Sequence, residues 1–332
     1  MNLISSASRE AELLSEQLLE ANAKRAGIGA DTTAFRVVNG AGDGLVGLTL
    51  DAFEDVLVAS LYVDLSEAQE HALLGVITET LKPRSIYLKR RPREARVAAT
   101  TERDFLAPDA PAWGERVESL VALENGVRYL IQPGGDLSVG LFLDMRDTRH
   151  WLRYNNSNRT VLNCFAYTCG FGVMATLAGS DRAVNLDLSK RVLEWGADNY
   201  RQNKLVPKQF DFISGDVFDW VMRLARRGDT FGTLILDPPS FATSKFARFS
   251  AASNYDELIE NAVHLLEPDG LLIACCNHHK LERRFFMAAI KRGLERAGRG
   301  YNLMASLGQS QIDFPVPDIA EPPLKVFALE IA

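Results

Sequence analysis

The chain has 332 residues, 47% of them hydrophobic, and a formal net charge of -6, which suits one large or two modest packed cores and excludes a disordered chain. The first residues scatter Arg9, Glu10, Glu12 and Glu16 through a helix-period pattern instead of an apolar leader, and no later run reaches membrane-spanning length, so the expectation is a cytoplasmic protein with no membrane partner. The acidic balance gives no global pull toward a polyanion; a nucleic-acid partner would need a local basic face. Cys164, Cys169, Cys275 and Cys276 lack CxxC spacing, which argues for reduced thiols and against a zinc site, so no metal is expected.

Leu13, Leu14, Leu18 and Leu19 recur at helical spacing between Ser8 and Ala26, with Gly27 as the stop. Phe35 to Val63 then holds three short β-rich runs broken by Gly and Asn-Gly signals, the pattern of a small antiparallel sheet. A helix over Leu65 to Leu81 and a strand over Ser85 to Leu88 follow. Behind that strand, Lys89, Arg90, Arg91, Arg93 and Arg96 form the densest basic run of the chain, either a solvated loop or a phosphate-contacting surface. Pro108, Pro111 and Gly114 suggest a boundary, dividing a small α+β domain (1–115) from a second domain (116–332) that opens with a hairpin turning at Asn125-Gly126. From Thr160 onward strands alternate with helices, which predicts a doubly wound, mostly parallel sheet with its ligand at the carboxyl ends of the strands.

The motifs fall at those strand ends. VLNCFAYTCGFGV, Val161 to Val173, reads as strand, tight turn and helix start, and the next strand, AVNLD, ends on Asp187. Gly170-x-Gly172-x-x-Ala175 formally matches a dinucleotide fingerprint, which keeps an NAD-dependent oxidoreductase open, although any tight strand-to-helix turn needs such glycines. Asp187 could accept both ribose hydroxyl protons or cap a helix beside Ser189. In ISGDVFDW, Asp216 could hold an adenine amino group while Val217 or Phe218 packs on the ring, or it could cap the helix over Phe218 to Leu224. TLILDPPSF places Asp237, Pro238, Pro239, Ser240 and Phe241 beyond a buried strand; two prolines fix an extended turn with outward carbonyls, which suits orienting a planar base on which Phe241 could stack.

These motifs, with GLFLDMRDTR (Gly140 to Arg149) and VNLDLSKRVLEWGADN, resemble the class I S-adenosylmethionine-dependent methyltransferases, specifically the large-subunit ribosomal RNA methyltransferases of the RlmI/RlmK type. The resemblance covers Gly140 to Gly270 and extends weakly back to RVVNGAGDGLVGLTLDAF. It implies a Rossmann-like catalytic domain, S-adenosyl-L-methionine as cofactor and a base of ribosomal RNA as substrate. The implied cofactor set is Asp144, Arg146, Phe165, Tyr167, Thr168, Gly170, Asp187, Leu188, Ser189, Asp216 and Val217, with Asp187 on the ribose, Asp216 on the adenine amino group and Thr168 to Gly170 at the methionine end. Asp144 and Arg146 would line the pocket from a preceding loop, unless Arg146 only pairs with Asp144 or Asp147. Asp237 to Phe241 would face the base.

The chain departs from the family pattern twice. RlmI-type proteins carry a PUA RNA-binding module before the small domain, where this chain has only the helix Ser8 to Ala26, so Lys89, Arg90, Arg91 and Arg93 become the candidate RNA grip. The cytosine-5 members carry a T-C-S-C-S stretch where this chain reads LLIACCNHHK. Methylation of cytosine C5 needs a thiolate, and Cys276 or Cys275 beside His278 and His279 could supply one, an imidazolium lowering the thiol pKa; equally, such cysteines could be packing residues. Methylation of a nitrogen needs no covalent step, and Asn277 with His278 would then orient the base. A methyltransferase of a protein or small molecule, or a non-catalytic RNA-binding factor, remains a competing reading.

Overall fold

The computed structural model describes residues 8–91, 101–156, 159–239, 241–243, 248–250, 253–317 and 321–332. Its contacts divide the chain into two compact units, Met1–Leu143 with Ser310–Ala320, and Asp144–Gln309 with Glu321–Ala332.

The first unit is built on a mixed sheet in the order β1-β2-β3-β4-β5: β1 Ala34–Asn39, β2 Leu48–Phe53, β3 Val56–Leu61, β4 Ser85–Arg90 and β5 Trp113–Gly114. β1, β2 and β3 pair antiparallel, as their turn signals predict, but β4 joins parallel to β3 after the helix Glu67–Leu81. That crossover helix begins with a capping box, Ser66 and Gln69 each satisfying the other's backbone amide. One face of the sheet buries Leu48, Leu50, Ala59, Leu61, Ile86 and Leu88 against Leu14 and Leu18 of the helix Ser8–Lys24 and Leu73 and Ile77 of the second helix. Asp43 is buried and pairs with Arg25, which also reaches the Asp313 carbonyl, so the returning segment 310–320 is pinned to this unit. The hairpin β6 Leu120–Glu124 and β7 Val127–Ile131 turns through Asn125 (φ 49°) and Gly126 (φ 75°), both left-handed as a type I′ turn requires. It belongs to the first unit and not, as expected, to the second: the Thr33 amide donates to the Leu123 carbonyl and the Asn125 amide to Thr32 Oγ1. The division therefore falls at Leu143/Asp144 instead of 115/116.

The second unit is a doubly wound sheet in the order β10-β9-β8-β11-β14-β16-β15. Its strands are β8 Thr160–Cys164, β9 Arg182–Asp187, β10 Phe212–Ser214, β11 Phe231–Leu236, β14 Leu266–Cys276, β15 Tyr301–Leu307 and β16 Lys325–Ile331. The short strands β12 Phe241–Thr243 and β13 Arg248–Ser250 form a separate antiparallel pair. β8 to β11 and β14 run parallel, while β16 lies antiparallel between β14 and β15. Burial on both faces explains the near-continuous apolar runs of β11 and β14, whose alternate residues feed two cores on opposite sides. Among the elements the sequence reading misses are the helix Arg146–Asn155, whose polar surface hides its periodicity in a stretch read as loop, and β15, an exposed edge strand with a bulge between Leu303 and Ala305. The order reverses between β8 and β11, and such a switch point opens a crevice at the carboxyl ends of the strands.

Candidate active site

The turn leaving β8 is held in an unfavourable backbone state. Phe165 (φ 58°), Tyr167 (φ 48°) and Cys169 (φ 61°) are all left-handed, a region that costs a side-chain-bearing residue roughly 1–2 kcal/mol. Neighbouring groups over-determine this shape. The Ala166 amide donates to the Leu186 carbonyl at 3.1 Å, the Tyr167 amide to Asp187 Oδ2 at 2.9 Å, and Asn199 Nδ2 to the Thr168 carbonyl at 2.9 Å. The helix Gly170–Leu177 starts directly from it and packs tightly on β9, since a side-chain carbon at Gly172 would collide with Asn185 and Tyr200.

Asp187, ending β9, accepts from Tyr167 through one oxygen and from the Ser189 amide through the other, at 2.9 Å, so its carboxylate is fixed in orientation at the crevice. The helix cap is Ser189 and not Asp187: its hydroxyl accepts from the Val192 amide. Leu188 beside it is 69% exposed. Asp216 does cap its helix, Val217–Arg227, taking the Phe218 and Asp219 amides on Oδ1 alone. Val217 is buried, and Phe165 meets Phe218 edge-on with centroids 6.1 Å apart. Thr168 is buried, and Tyr167 leans on Trp195.

A second cluster forms where β11 and β14 end. Asp144 sits in a 3-10 turn just before the helix Arg146–Asn155, and Asn277, following β14, donates from Nδ2 to its Oδ2 at 3.1 Å. Asp237 follows β11, and burial together with the Asp144 carboxylate pushes its pKa up to about 7 against the opposing pull of Arg149. Arg149 is buried, with its guanidinium over the Phe171 ring. Arg146 is also buried and lies 3.6 Å from Asp147. Tyr255, from the helix Tyr255–Ala262, donates to the Leu236 carbonyl and so anchors the strand end that carries Asp237. Pro238 is buried and Pro239 exposed. Ser240 and the Phe241 side chain lie outside the described residues.

Burial bears on two of the sequence readings. Cys275 and Cys276 are each 0% exposed and face opposite cores, and burial pushes both thiols up, with Asp237 adding to the effect. His278 is pushed below its usual value by burial and by His279 and Lys325, and its Nδ1 accepts from the Lys280 amide. Cys276 packs in the core on the Leu272 and Ala274 side of β14. The described residues of the expected RNA grip are engaged inside the first unit. Lys89 is 0% exposed in β4, Arg90 pairs with Glu70 and packs on Phe105, and Arg91 donates to the Leu137 carbonyl at 2.7 Å. Both faces of β4 are covered, Ser85 to Lys89 being buried without a break, which a charge count cannot register. Arg93 lies outside the described residues.

A switch-point crevice with one oriented carboxylate per strand end defines an enzyme of the nucleotide-cofactor class. Comparison sharpens this. Residues 39–298 match the S-adenosylmethionine-dependent methyltransferase model. The ribosomal RNA large subunit methyltransferase I of Aeromonas salmonicida is 31% identical over 285 residues, 86% of this chain and 70% of that protein. Its namesake in Escherichia coli O9:H4 is 31% identical over 85% of this chain and 70% of its own length. The crystal structure of the methyltransferase SMU.776 complexed with SAH matches with a TM-score of 0.86 at 26% identity, over 96% of this chain and 81% of that one. The chain belongs to the S-adenosylmethionine-dependent methyltransferase family, and its cofactor is S-adenosylmethionine. The residues present fit that group: a carboxylate fixed by two amides, an exposed Leu188 beside it and a second carboxylate one strand further on. The Gly170-x-Gly172-x-x-Ala175 match to a dinucleotide fingerprint is shared turn geometry. Among the described residues no helix is long and apolar enough to cross a membrane, and no group of three or more His, Cys, Asp or Glu could hold a metal ion.

Proposed function

We propose that the chain methylates a nitrogen of a ribosomal RNA base. The substrate class follows the relatives, which are ribosomal RNA large subunit methyltransferases. The choice of nitrogen is carried by one contrast: both thiols that could start a cytosine-5 reaction are buried with raised pKa, whereas Asp144, Asp237 and Asn277 form a polar cluster at the same strand ends. A nitrogen lone pair needs no covalent activation, so alignment supplies the rate enhancement.

In this reading Asp187 takes the ribose hydroxyls, Leu188 covers one face of the adenine, Asp216 accepts from its amino group through the oxygen left by the helix cap, and the backbone from Thr168 to Gly170 meets the methionine end. Bound there, the cofactor supplies an electrophilic methyl group on a sulfonium. Asp237, the Pro238 and Pro239 carbonyls and Asn277 orient a base taken out of its stack.

Nucleoside mass spectrometry of ribosomal RNA from cells lacking the protein tests this, with methyl transfer from labelled cofactor to that RNA. The expected result is loss of one N-methylated nucleoside, restored by the purified protein and by its Cys276→Ala variant. Loss of 5-methylcytosine, with Cys276→Ala inactive, would overturn the choice of nitrogen; no label in RNA would overturn the substrate.

A further inference from the structure

Past the carboxyl end of β14 the second unit carries a cleft that neither the proposed cofactor residues nor the acceptor cluster occupies. Its walls are Glu282, Arg283, Arg284 and Met287 at the head of the helix Arg283–Arg296, Phe327 of β16, and Glu321 from the segment leading into that strand. The volume is about 400 Å³, inside the range of about 300–1,000 Å³ of small-ligand sites. Strand pairing sets it next to the acceptor cluster: Cys276, which precedes Asn277, pairs with Lys325 of β16, and neighbouring strands lie about 4.8 Å apart. The buried Lys325 ammonium donates to the His278 and Pro323 carbonyls, each at 2.8 Å, which ties the loop behind Asn277 to the segment behind Glu321.

The lining combines planar faces with balanced charge. The Arg283 guanidinium lies over the Phe327 ring, 5.6 Å from its centroid, and donates to Ser306 Oγ and to the Leu307 and Leu324 carbonyls, so this platform is held from several sides. The Arg283 amide donates to Glu321 Oε1 at 2.8 Å and fixes that carboxylate. Arg284 pairs with Glu282 at 2.8 Å and lies over Phe285, whose ring is 52% exposed beside the cleft. An exposed ion pair contributes little and yields readily to a ligand. Two carboxylates and two guanidiniums cancel, so the cleft has no net pull on a phosphate. It offers acceptors, donors and flat faces together, which is the chemistry that recognises an unstacked nucleobase.

We propose that this cleft is a subsite for a second, unpaired base of the same RNA, distinct from the base that is methylated, and that it selects which nucleotide reaches the acceptor cluster. The inference rests on the reading of the chain as an RNA methyltransferase and is independent of the atom that is methylated. A base seated between Met287, Phe327 and the Arg284–Phe285 stack anchors the RNA one strand away from Asn277. Only nucleotides at the matching spacing along the RNA then meet the acceptor cluster, and the contact is made equally before and during methyl transfer. Its energy therefore appears in RNA binding and not in the chemical step.

Steady-state methyl transfer to ribosomal RNA from cells lacking the protein, measured across RNA and salt concentrations, tests the proposal. Met287→Trp fills the cleft, while Arg284→Ala and Phe285→Ala strip the stack beside it. Each should raise KM for RNA by about 5-fold or more, with kcat and SAH affinity unchanged. The salt dependence of KM should also stay as it is, because no phosphate contact is lost. Thermal midpoints record that the fold is intact; if Met287→Trp lowers its midpoint, the two exposed positions carry the test. An RNA KM within two-fold of the original in the folded variants would overturn the proposal. A flattened salt dependence would make the cleft a phosphate contact, and a loss confined to kcat would make it the pocket of the methylated base; either result overturns the second-base subsite while leaving the RNA reading standing. No transfer to RNA by the unaltered protein would bring down the parent reading, and this one with it, before any variant is compared.

Discussion

The turn Phe165–Gly170 and the basic run Lys89–Arg91 were the two densest functional signals in the chain, and they come to opposite ends. The turn keeps three non-glycine residues left-handed, and its hydrogen bonds run to groups that line the crevice, Asp187 foremost. The basic run spends its charge inside its own unit: Lys89 is buried, Arg90 is paired with Glu70, and Arg91 is tied to Leu137. Strain maintained by a surrounding network marks a site, whereas charge density marks one only where the charge reaches solvent.

The sharpest way to break this contrast is Asp187→Ala. It removes the acceptor of two amides as well as the proposed ribose contact, and hydrogen bonds to a charged group contribute about 1.5–3 kcal/mol each, so SAH affinity measured by calorimetry should fall by about 100-fold or more. Affinity within a few-fold of the original would mean that the turn is not the cofactor site. Gly172→Ala should lower stability by about 1–3 kcal/mol in thermal or urea unfolding, because the added methyl has no room against Asn185 and Tyr200. A neutral result would show that the helix can withdraw from β9 and that the turn is less constrained than its contacts indicate.

Lys89→Met sharpens the other side. The Lys89 Nζ is buried without a hydrogen-bond partner, and burial followed by Arg91 lowers its pKa to about 8, with Asp136 and Asp109 opposing. Below pH 8 the group is charged in both the folded and unfolded states and the full penalty applies; between about 8 and 10.5 the folded state gives up its proton first, so stability rises with pH. The variant should be more stable by about 1–3 kcal/mol at pH 7 and should lose that rise, as denaturant titrations at several pH values would record. The smallest effect is expected for Arg90→Gln: a loss of about 0.2–1 kcal/mol from the Glu70 pair, with RNA affinity and its salt dependence unchanged. A reduced salt slope would return Arg90 to the RNA-contacting surface.

Much of the second unit was legible because its signals are local. The strand ending on Asp187, the cap at Asp216 and the proline turn after Asp237 each sit within a few residues of the element that positions them, and the parallel strands advertise two-sided burial as unbroken apolar runs. The helix Arg146–Asn155 was not legible, because its buried positions include the polar residues Arg146, Thr148 and Arg149, of which Arg146 lies by Asp147 and Arg149 over the Phe171 ring, so the hidden face carries little apolar character. The edge strand Tyr301–Leu307 was missed because strand pairing on one side only leaves no alternating burial to read. Nor could the hairpin's allegiance be read, since Thr33 and Leu123 meet only when β1 has been placed.

The amino-acid sequence by itself determined the class of fold, the tight turn after β8 and the acids at the ends of β9, β10 and β11, since these depend on periodicity, turn chemistry and short spacings. Only the tertiary structure decided which polar residues are free to act. It buried Cys275, Cys276 and Lys89 by covering both faces of their strands, and it brought Asp144 and Asn277, far apart in the chain, to 3.1 Å at a strand end. Burial and long-range proximity set a side chain's protonation and reach, and neither is a property of the residue or of its neighbours in sequence.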